Sequence, residues 1–141
     1  MPNEYLKGQL NDYPVKILLA FGEAIDGNDK IFMWLLKNGF AELAALSKAI
    51  RGSEEAFQWL MKNGYPQFAA LDMAIVNDQK AHKWLIKNKF EILARFAMAA
   101  QGDNNSIKWF AINNLHIYIR LAKKIKIFTD NQKFDYHKLH F

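Results

Sequence analysis

The residues of this sequence that could do chemistry form no recognisable catalytic set. There is no cysteine, which excludes thiol catalysis, disulfides and thiolate metal sites. A catalytic centre needs a nucleophile or an acid–base group held beside a partner that orients it. No such motif occurs, and neither does a glycine-rich phosphate loop. We therefore expect a non-enzymatic protein without a cofactor.

Four histidines remain as candidate ligands or bases, namely His82, His116, His137 and His140. His137 and His140 are three residues apart, which places them on one face of a helix, and two imidazoles could hold a metal. Only Asp135 lies near them as a third ligand, so we predict no metal site. His82 takes the place that phenylalanine holds in two other repeats described below, which predicts a partly buried packing position.

The basic residues form the second group with chemical potential, and most of them lie in the C-terminal half. The chain has 19 Lys and Arg against 14 Asp and Glu, a formal net charge of +5. Residues 1–70 hold seven basic and eight acidic residues, whereas residues 71–141 hold twelve and six. Such a surface raises the local concentration of anions. The alternative is that the lysines only keep a helical array in solution.

A repeat of 25 residues positions these side chains. Trp34, Trp59, Trp84 and Trp109 follow one another at this spacing. Their neighbours keep the register, as in SEEAFQWLMKNGYPQFAALDMAI and DQKAHKWLIKNKFEILARFAMAA, and a half unit, VKILLAFGEAI, precedes them. Repeats of this length are typical of solenoids built from stacked helical hairpins.

Each unit predicts two helices of about ten to twelve residues, a first helix ending near KNG and a second ending near AI. A residue suited to a left-handed conformation follows each second helix: Gly27, Gly52, Asn77 and Gly102. A residue suited to capping the next helix follows in turn: Asn28, Ser53, Asp78 and Asp103. The helix boundaries are therefore predicted by local chemistry.

The flanks of the two helices differ in size. Alanine flanks the second helix on both sides, at Ala44, Ala49 and their equivalents, whereas tryptophan flanks the first. We expect each tryptophan to pack against Leu36, Met61 or Ile86 of an adjacent repeat. The repeated pair of helices predicts an all-α fold. Small flanks let the second helices approach one another closely, whereas tryptophan flanks hold the first helices apart. We expect a curved, right-handed α-solenoid of about four and a half repeats, with the second helices on the concave side.

The string LAALSKAIRGSEEAFQWLMKNGY resembles the helical part of an ankyrin repeat. The resemblance covers residues 15–115 at the level of spacing. The Thr-Pro-Leu-His motif of that family has no counterpart, and the unit is about eight residues shorter, as if the projecting hairpin were absent. The resemblance implies a recognition scaffold that uses its concave helices. A helical-hairpin solenoid of the HEAT type is the competing resemblance.

Exposed positions at which the repeats differ are the candidate binding residues. We expect an acidic protein or peptide to bind a methionine-floored concave groove with a basic end, formed by Lys48, Met73, Arg95, Met98, Arg120 and Lys123. The alternative is contact with the phosphate backbone of a nucleic acid. Its candidate residues are Lys80, Lys83, Lys87, Lys108, Lys124 and Lys126.

The repeats predict one domain over residues 1–128. Thr129, Asp130 and Asn131 predict a break in the helix. The apolar residues after the break are Phe134, Tyr136, Leu139 and Phe141. They predict that segment 129–141 either caps the open end of the array or docks on another copy of the chain. No apolar stretch typical of a leader peptide lies near Met1, and no apolar run of membrane-spanning length occurs. We therefore expect a soluble, cytoplasmic protein that does not enter a membrane.

Overall fold

The computed structural model of the protein describes residues 9–139, and their side chains up to residue 132. A short 3-10 helix, Leu10–Asp12, precedes nine α-helices in this part of the chain, which contains no strand. The helices are α1 (Val15–Ile25), α2 (Asp29–Lys37), α3 (Ala41–Ile50), α4 (Glu54–Lys62), α5 (Pro66–Ile75), α6 (Gln79–Lys87), α7 (Glu91–Ala100), α8 (Asn104–Ile112) and α9 (His116–Leu139). The predicted all-α class is confirmed.

The helices begin and end at the capping residues that the sequence predicts. The side chains of Asn28, Ser53, Asp78 and Asp103 each accept a hydrogen bond from the backbone N–H three residues later. Asn77 has a φ of 70° at the position where Gly52 has 101°, and both residue types tolerate this left-handed backbone. The predicted capping residues are therefore confirmed.

The helices divide into two sets according to their packing. We call α1, α3, α5, α7 and α9 the inner helices, and α2, α4, α6 and α8 the outer helices. Consecutive inner helices pack against each other, and α9 also packs against α1. Each outer helix packs against the two inner helices that precede and follow it in the chain. The five inner helices therefore close into a ring.

The inward face of this ring is filled by the hydrophobic core. Phe21, Phe68, Phe96 and Tyr118 are among its largest fully buried side chains. The sequence predicted an open concave surface on these helices, whereas the structure shows a closed and filled interior. The small flanks that were expected to produce curvature are buried, including Ala44, Ala69 and Ala94.

A glycine and an ion pair form the contact that closes the ring. A Cβ added at Gly22 of α1 would lie only 3.0 Å from Cδ2 of Leu121 on α9, so a larger residue would separate the helices. Lys124 of α9 forms a salt bridge to Asp26 and lies 3.8 Å from Glu23, both at the C-terminal end of α1. This contact joins residues about one hundred positions apart.

The tryptophans stack within their own repeats. The centroid distances of Trp34, Trp59 and Trp84 to their aromatic partners are 6.1, 6.2 and 6.0 Å. The partners are Phe40, Tyr65 and Phe90. Outer helices lie outside a ring, and no two of them pack extensively against each other. The predicted packing of each tryptophan against the adjacent repeat stays a prediction.

The N-terminal segment 9–13 packs against the N-terminal ends of the inner helices. Leu10 is fully buried in the core. The Tyr13 hydroxyl donates a 2.5 Å hydrogen bond to Glu42 of α3, and its ring meets Phe40 edge-on. Burial, followed by the hydrogen bond and charge of Glu42, raises the pKa of Tyr13, so this phenol stays protonated.

The predicted break at Thr129, Asp130 and Asn131 is wrong, because α9 continues to Leu139. Asp130 forms a 3.1 Å salt bridge with Lys126 one turn earlier, and Phe128 packs against the Arg51 guanidinium at 4.8 Å. These contacts offset the weak helix propensity of the three residues.

Some features predicted near the C-terminus lie outside the described side chains. These are the capping residues Phe134, Tyr136, Leu139 and Phe141 and the histidines His137 and His140. The proposed boundary at residue 128 stays a prediction. No helix in the described residues combines the length and the apolar character needed to cross a membrane.

Candidate binding grooves between the outer helices

Two grooves open on the outside of the ring at equivalent positions of the repeat. Groove 1 lies between α2 and α4 above α3, and has a volume of about 360 Å³. The other groove lies between α6 and α8 above α7, and has a volume of about 320 Å³. We call it groove 3, because each groove is numbered by the outer helix that precedes it and α6 is the third outer helix. Their lining residues correspond after a shift of 50 positions, so that Lys48 in groove 1 is replaced by Met98 in groove 3.

Three of the six predicted partner-binding residues line these grooves. Lys48 lines groove 1, and Arg95 and Met98 line groove 3. Met73 on α5 and Lys123 on α9 hold the position equivalent to Lys48 and are exposed. The sequence therefore grouped these residues correctly by register. It placed them on the wrong side, because the grooves face outward and the inner side of the ring is core.

Groove 1 has mainly apolar walls, with Lys48 at its floor and Glu55 of α4 in its lining. Phe32 and Leu36 of α2 form one wall, and Trp59 of α4 forms the other. Lys48 Nζ lies 3.6 Å from Asp29 and 4.5 Å from the centroid of the Phe32 ring. Both contacts are solvent-accessible and hold the ammonium group over the apolar wall.

Groove 3 has the same shape and a more polar lining. His82 replaces Phe32 and is partly buried, as the sequence predicted. Glu91 and Arg95 replace two alanines of groove 1. The Arg95 guanidinium lies 4.5 Å from the Trp109 ring centroid, which fixes its charge beside the groove.

Sequence reasoning missed the walls of these grooves. It assigned the tryptophans and the row of Leu36, Met61 and Ile86 to packing between repeats. These side chains are exposed, with Leu36 at 40%, Met61 at 50% and Ile86 at 48%. Nothing in the 25-residue pattern distinguishes a wall residue from a packing residue, because both recur in every repeat.

The lysines proposed for nucleic-acid binding fall into two groups. Lys80, Lys83, Lys87 and Lys108 are exposed on the outer helices α6 and α8. In contrast, Lys124 forms ion pairs with α1, and Lys126 is paired with Asp130. The charge of the second group is therefore already compensated within the fold.

Two polar groups lie outside the grooves, the partly buried carboxyl group of Asp72 and the buried hydroxyl group of Tyr118. Asp72 of α5 holds the position of the buried Ser47 in α3 and Ala97 in α7. Burial, followed by the negative charge of Glu54, raises the pKa of Asp72 to about 7. The Tyr118 hydroxyl is buried without a hydrogen-bond partner among the described residues, and burial raises its pKa. Within the same residues, no cluster of three side chains could hold a metal ion.

Comparison with known proteins identifies no relative. No protein-family model matches the chain, and no curated protein and no solved structure is significantly similar to it. The similarity to ankyrin repeats stays a resemblance of spacing.

Proposed function

We propose that this protein is a binding scaffold of the α-solenoid type that recognises an acidic, partly apolar peptide or protein segment in its outward grooves. The observation that supports this most directly is the pair of equivalent grooves with different linings. Residues that recur in every repeat build the fold, whereas residues that differ between repeats at an exposed groove are free to determine a partner.

The chemistry of the grooves suggests the type of partner. Exposed apolar walls such as Leu36 and Trp59 favour apolar anchor residues. Cations at or beside the floor, Lys48 and Arg95, favour acidic residues next to those anchors. Met98 offers a side chain that adapts its shape to different apolar groups. An extended or helical segment that alternates apolar and acidic residues matches this surface.

A selection from a displayed random peptide library tests this proposal without knowledge of the natural partner. We expect the enriched peptides to be acidic with apolar anchors. Their affinity should fall by about tenfold or more, which is about 1.4 kcal/mol, for the double variant Met73→Asp/Met98→Asp. Met98→Asp places a carboxylate at the floor of groove 3, and Met73→Asp places one at the equivalent exposed position of α5, where both repel an acidic ligand.

The matched control is Met33→Asp/Ile112→Asp. Both residues are exposed, at 44% and 79%, and neither lines a groove. The control should bind the enriched peptides as tightly as the wild type. No enrichment, or equal binding by the groove variant and the wild type, would contradict the proposal.

A second candidate is binding to the phosphate backbone of a nucleic acid. It is favoured by the exposed Lys80, Lys83 and Lys87, which lie along one face of α6, with Lys108 beside them on α8. A mobility-shift titration with mixed single-stranded and duplex nucleic acid at two salt concentrations tests it. Phosphate contact predicts binding that weakens steeply with salt. The absence of binding at low salt would remove this candidate.

A further inference from the structure

The ring has five gaps between neighbouring inner helices but only four outer helices to fill them. We call each such position a seat. Outer helices α2, α4, α6 and α8 occupy the seats between successive inner helices. The fifth seat lies between α9 and α1, and no helix of the described residues fills it.

Equivalent residues show that this seat is open. Leu19 of α1 corresponds to Ala44, Ala69 and Ala94, which outer helices cover. Those alanines are 0%, 1% and 3% exposed, whereas Leu19, a larger apolar residue, is 38% exposed. Val15 corresponds to the half-buried Phe40 and is 58% exposed. An apolar floor is therefore present without a cover.

The occupied seats show what type of element fits. Leu35 of α2 is fully buried in a cluster with Ala24 of α1 and Ala44 of α3. The residues at the same position of the other outer helices, Leu60, Leu85 and Phe110, are also fully buried. Each occupied seat thus accepts a nine-residue amphipathic helix with one large apolar side chain two residues before the end of the helix.

The charge of the fifth seat differs from that of the others. Lys124 stands where α1 has Ala24, and Arg120 stands where α1 has Ala20. Lys124 is paired with both Glu23 and Asp26 of α1, so these three side chains together carry one negative charge. Arg120 and Lys123 are exposed, and neither has a salt bridge among the described residues. The edge of the seat formed by α9 therefore carries two uncompensated positive charges.

The packing of α4 beside α3 indicates which end of a helix bound in the fifth seat would face these charges. In groove 1, Glu55 in the first turn of α4 lines the groove together with Lys48 of α3. The equivalent of Lys48 on α9 is Lys123. A helix seated between α9 and α1 in the orientation of α4 places its first turn beside Lys123, where acidic residues also favour the helix dipole.

We propose that the fifth seat binds a single acidic amphipathic helix supplied by another protein. A second copy of this chain is a poor occupant, because its net charge is +5 and its described outer helices are already seated. The inference rests on the proposed binding function, but it concerns a surface distinct from grooves 1 and 3. It also names the partner as a helix rather than a segment of any conformation.

The chain supplies a suitable probe in its own most acidic outer helix. A labelled synthetic peptide of Ser53–Gly64 contains Glu54, Glu55 and Leu60, the residue that α4 buries. Gln58 and Lys62 are exposed and one turn apart. A hydrocarbon staple between these two positions holds the peptide helical without altering its apolar face. The matched control peptide has the same staple and carries Glu54→Lys and Glu55→Lys.

Fluorescence polarisation of these peptides against the full-length protein tests the seat. We expect the acidic peptide to bind more tightly than the basic one, and Leu19→Asp to weaken binding by about tenfold or more. Lys123→Glu should weaken the acidic peptide and strengthen the basic one, since the charge pair is then reversed. Met33→Asp, at an apolar residue that is 44% exposed and lines neither groove, should leave peptide binding unchanged.

Two results would overturn the inference. One is the absence of binding by the acidic peptide up to about 1 mM, the weak limit of specific association. The other is binding that Leu19→Asp leaves intact. Circular dichroism should show Leu19→Asp folded like the wild type, because the residue is exposed, and Leu19→Ser serves as the second variant if it is not.

Two further comparisons separate the remaining outcomes. If only a protein lacking residues 1–8 binds the peptide, the chain's own N-terminus occupies the seat and the inference is wrong. Failure of the seat also differs from failure of the grooves. Peptides selected for the grooves depend on Met73 and Met98 and tolerate Leu19→Asp, whereas the seat ligand shows the reverse dependence.

Discussion

The inner and outer helices of this protein come from the same repeat but make different contributions. Six of the ten residues of α3 are buried, and so are six of the ten of α7. In contrast, α2 and α4 each bury one residue of nine, a leucine two residues before the end of the helix. The inner helices pack on both sides against each other, whereas an outer helix rests on two inner helices and faces solvent elsewhere.

This difference separates the residues that stabilise the fold from those that we propose for recognition. Burial of apolar area supplies most of the free energy of folding, so the inner ring determines whether the chain folds. An outer helix is attached mainly by the apolar residue near its C-terminal end and by its N-cap. Its remaining surface is free to vary, and both the grooves and the fifth seat lie where outer helices meet the ring or are missing from it.

The largest effect should come from an inner-helix residue. Phe96 of α7 is fully buried and packs edge-on against Tyr118 of α9, with a centroid distance of 5.6 Å. Phe96→Ala removes the ring and leaves a cavity, which should lower the free energy of unfolding by about 3–5 kcal/mol. Urea denaturation followed by circular dichroism measures this. A loss below about 1 kcal/mol would show that the ring is not the stability core.

The corresponding substitution in an outer helix should cost less. Leu60→Ala removes the only buried side chain of α4, and we expect a loss of about 2–3 kcal/mol in the same experiment. The neighbouring exposed Trp59, which stacks on Tyr65, is the control, and Trp59→Ala should cost about 1 kcal/mol. If Trp59→Ala proved more damaging than Leu60→Ala, the attachment of outer helices would depend on aromatic stacking instead.

Replacing the inner-helix residue Asp72 should instead raise the free energy of unfolding. Asp72 has an ordinary pKa of 3.8 when unfolded and about 7 when folded. The folded state therefore holds the proton more tightly, and the contribution of this group to stability falls as pH rises from about 4 to about 7. Asp72→Ala, which copies Ala97, should stabilise the protein at pH 8 by about 1–3 kcal/mol.

The pH dependence of that gain is the decisive measurement. Thermal unfolding at pH 4 should show a much smaller difference between Asp72→Ala and the wild type, because the carboxyl group is then protonated in the folded state. Glu54→Gln should give a smaller gain at pH 8, since Glu54 is the lesser cause of the shifted pKa. A gain of equal size at both pH values would point to side-chain packing rather than charge.

The smallest effect should come from a helix cap. Ser53 accepts a 3.1 Å hydrogen bond from the N–H of Ala56 at the start of α4. Ser53→Ala should cost about 1 kcal/mol. Ser53→Asn retains an acceptor and should cost less. Equal losses for the two variants would indicate that the cap hydrogen bond does not hold α4 on the ring.

Most of the secondary structure could be predicted because it depends on neighbours in the chain. The caps at Asn28 and Asp103 and the left-handed Asn77 follow from contacts within five residues. The error at Thr129 to Asn131 has the same origin, since weak local propensity was overruled by a salt bridge and by the packing of Phe128 against Arg51.

The candidate sites could be predicted only in part. Register identified Lys48, Met73 and Met98 as equivalent positions, but it could not indicate on which side of the helices an opening lies. The groove walls at Leu36 and Trp59 repeat as regularly as core residues, so periodicity assigned them to packing. The fifth seat has no sequence signal of its own, because Val15 and Leu19 read as an ordinary apolar helix face.

The sequence alone therefore determined the helices, their ends and their repetition, since these depend on hydrogen bonds and side chains close together along the chain. Tertiary structure decided that α9 meets α1, that the inner side is filled and that four outer helices leave a fifth position open. These features arise because the rotations between successive inner helices together amount to one full turn. Gly22 and Leu121, almost one hundred residues apart, meet only when that sum closes the circle.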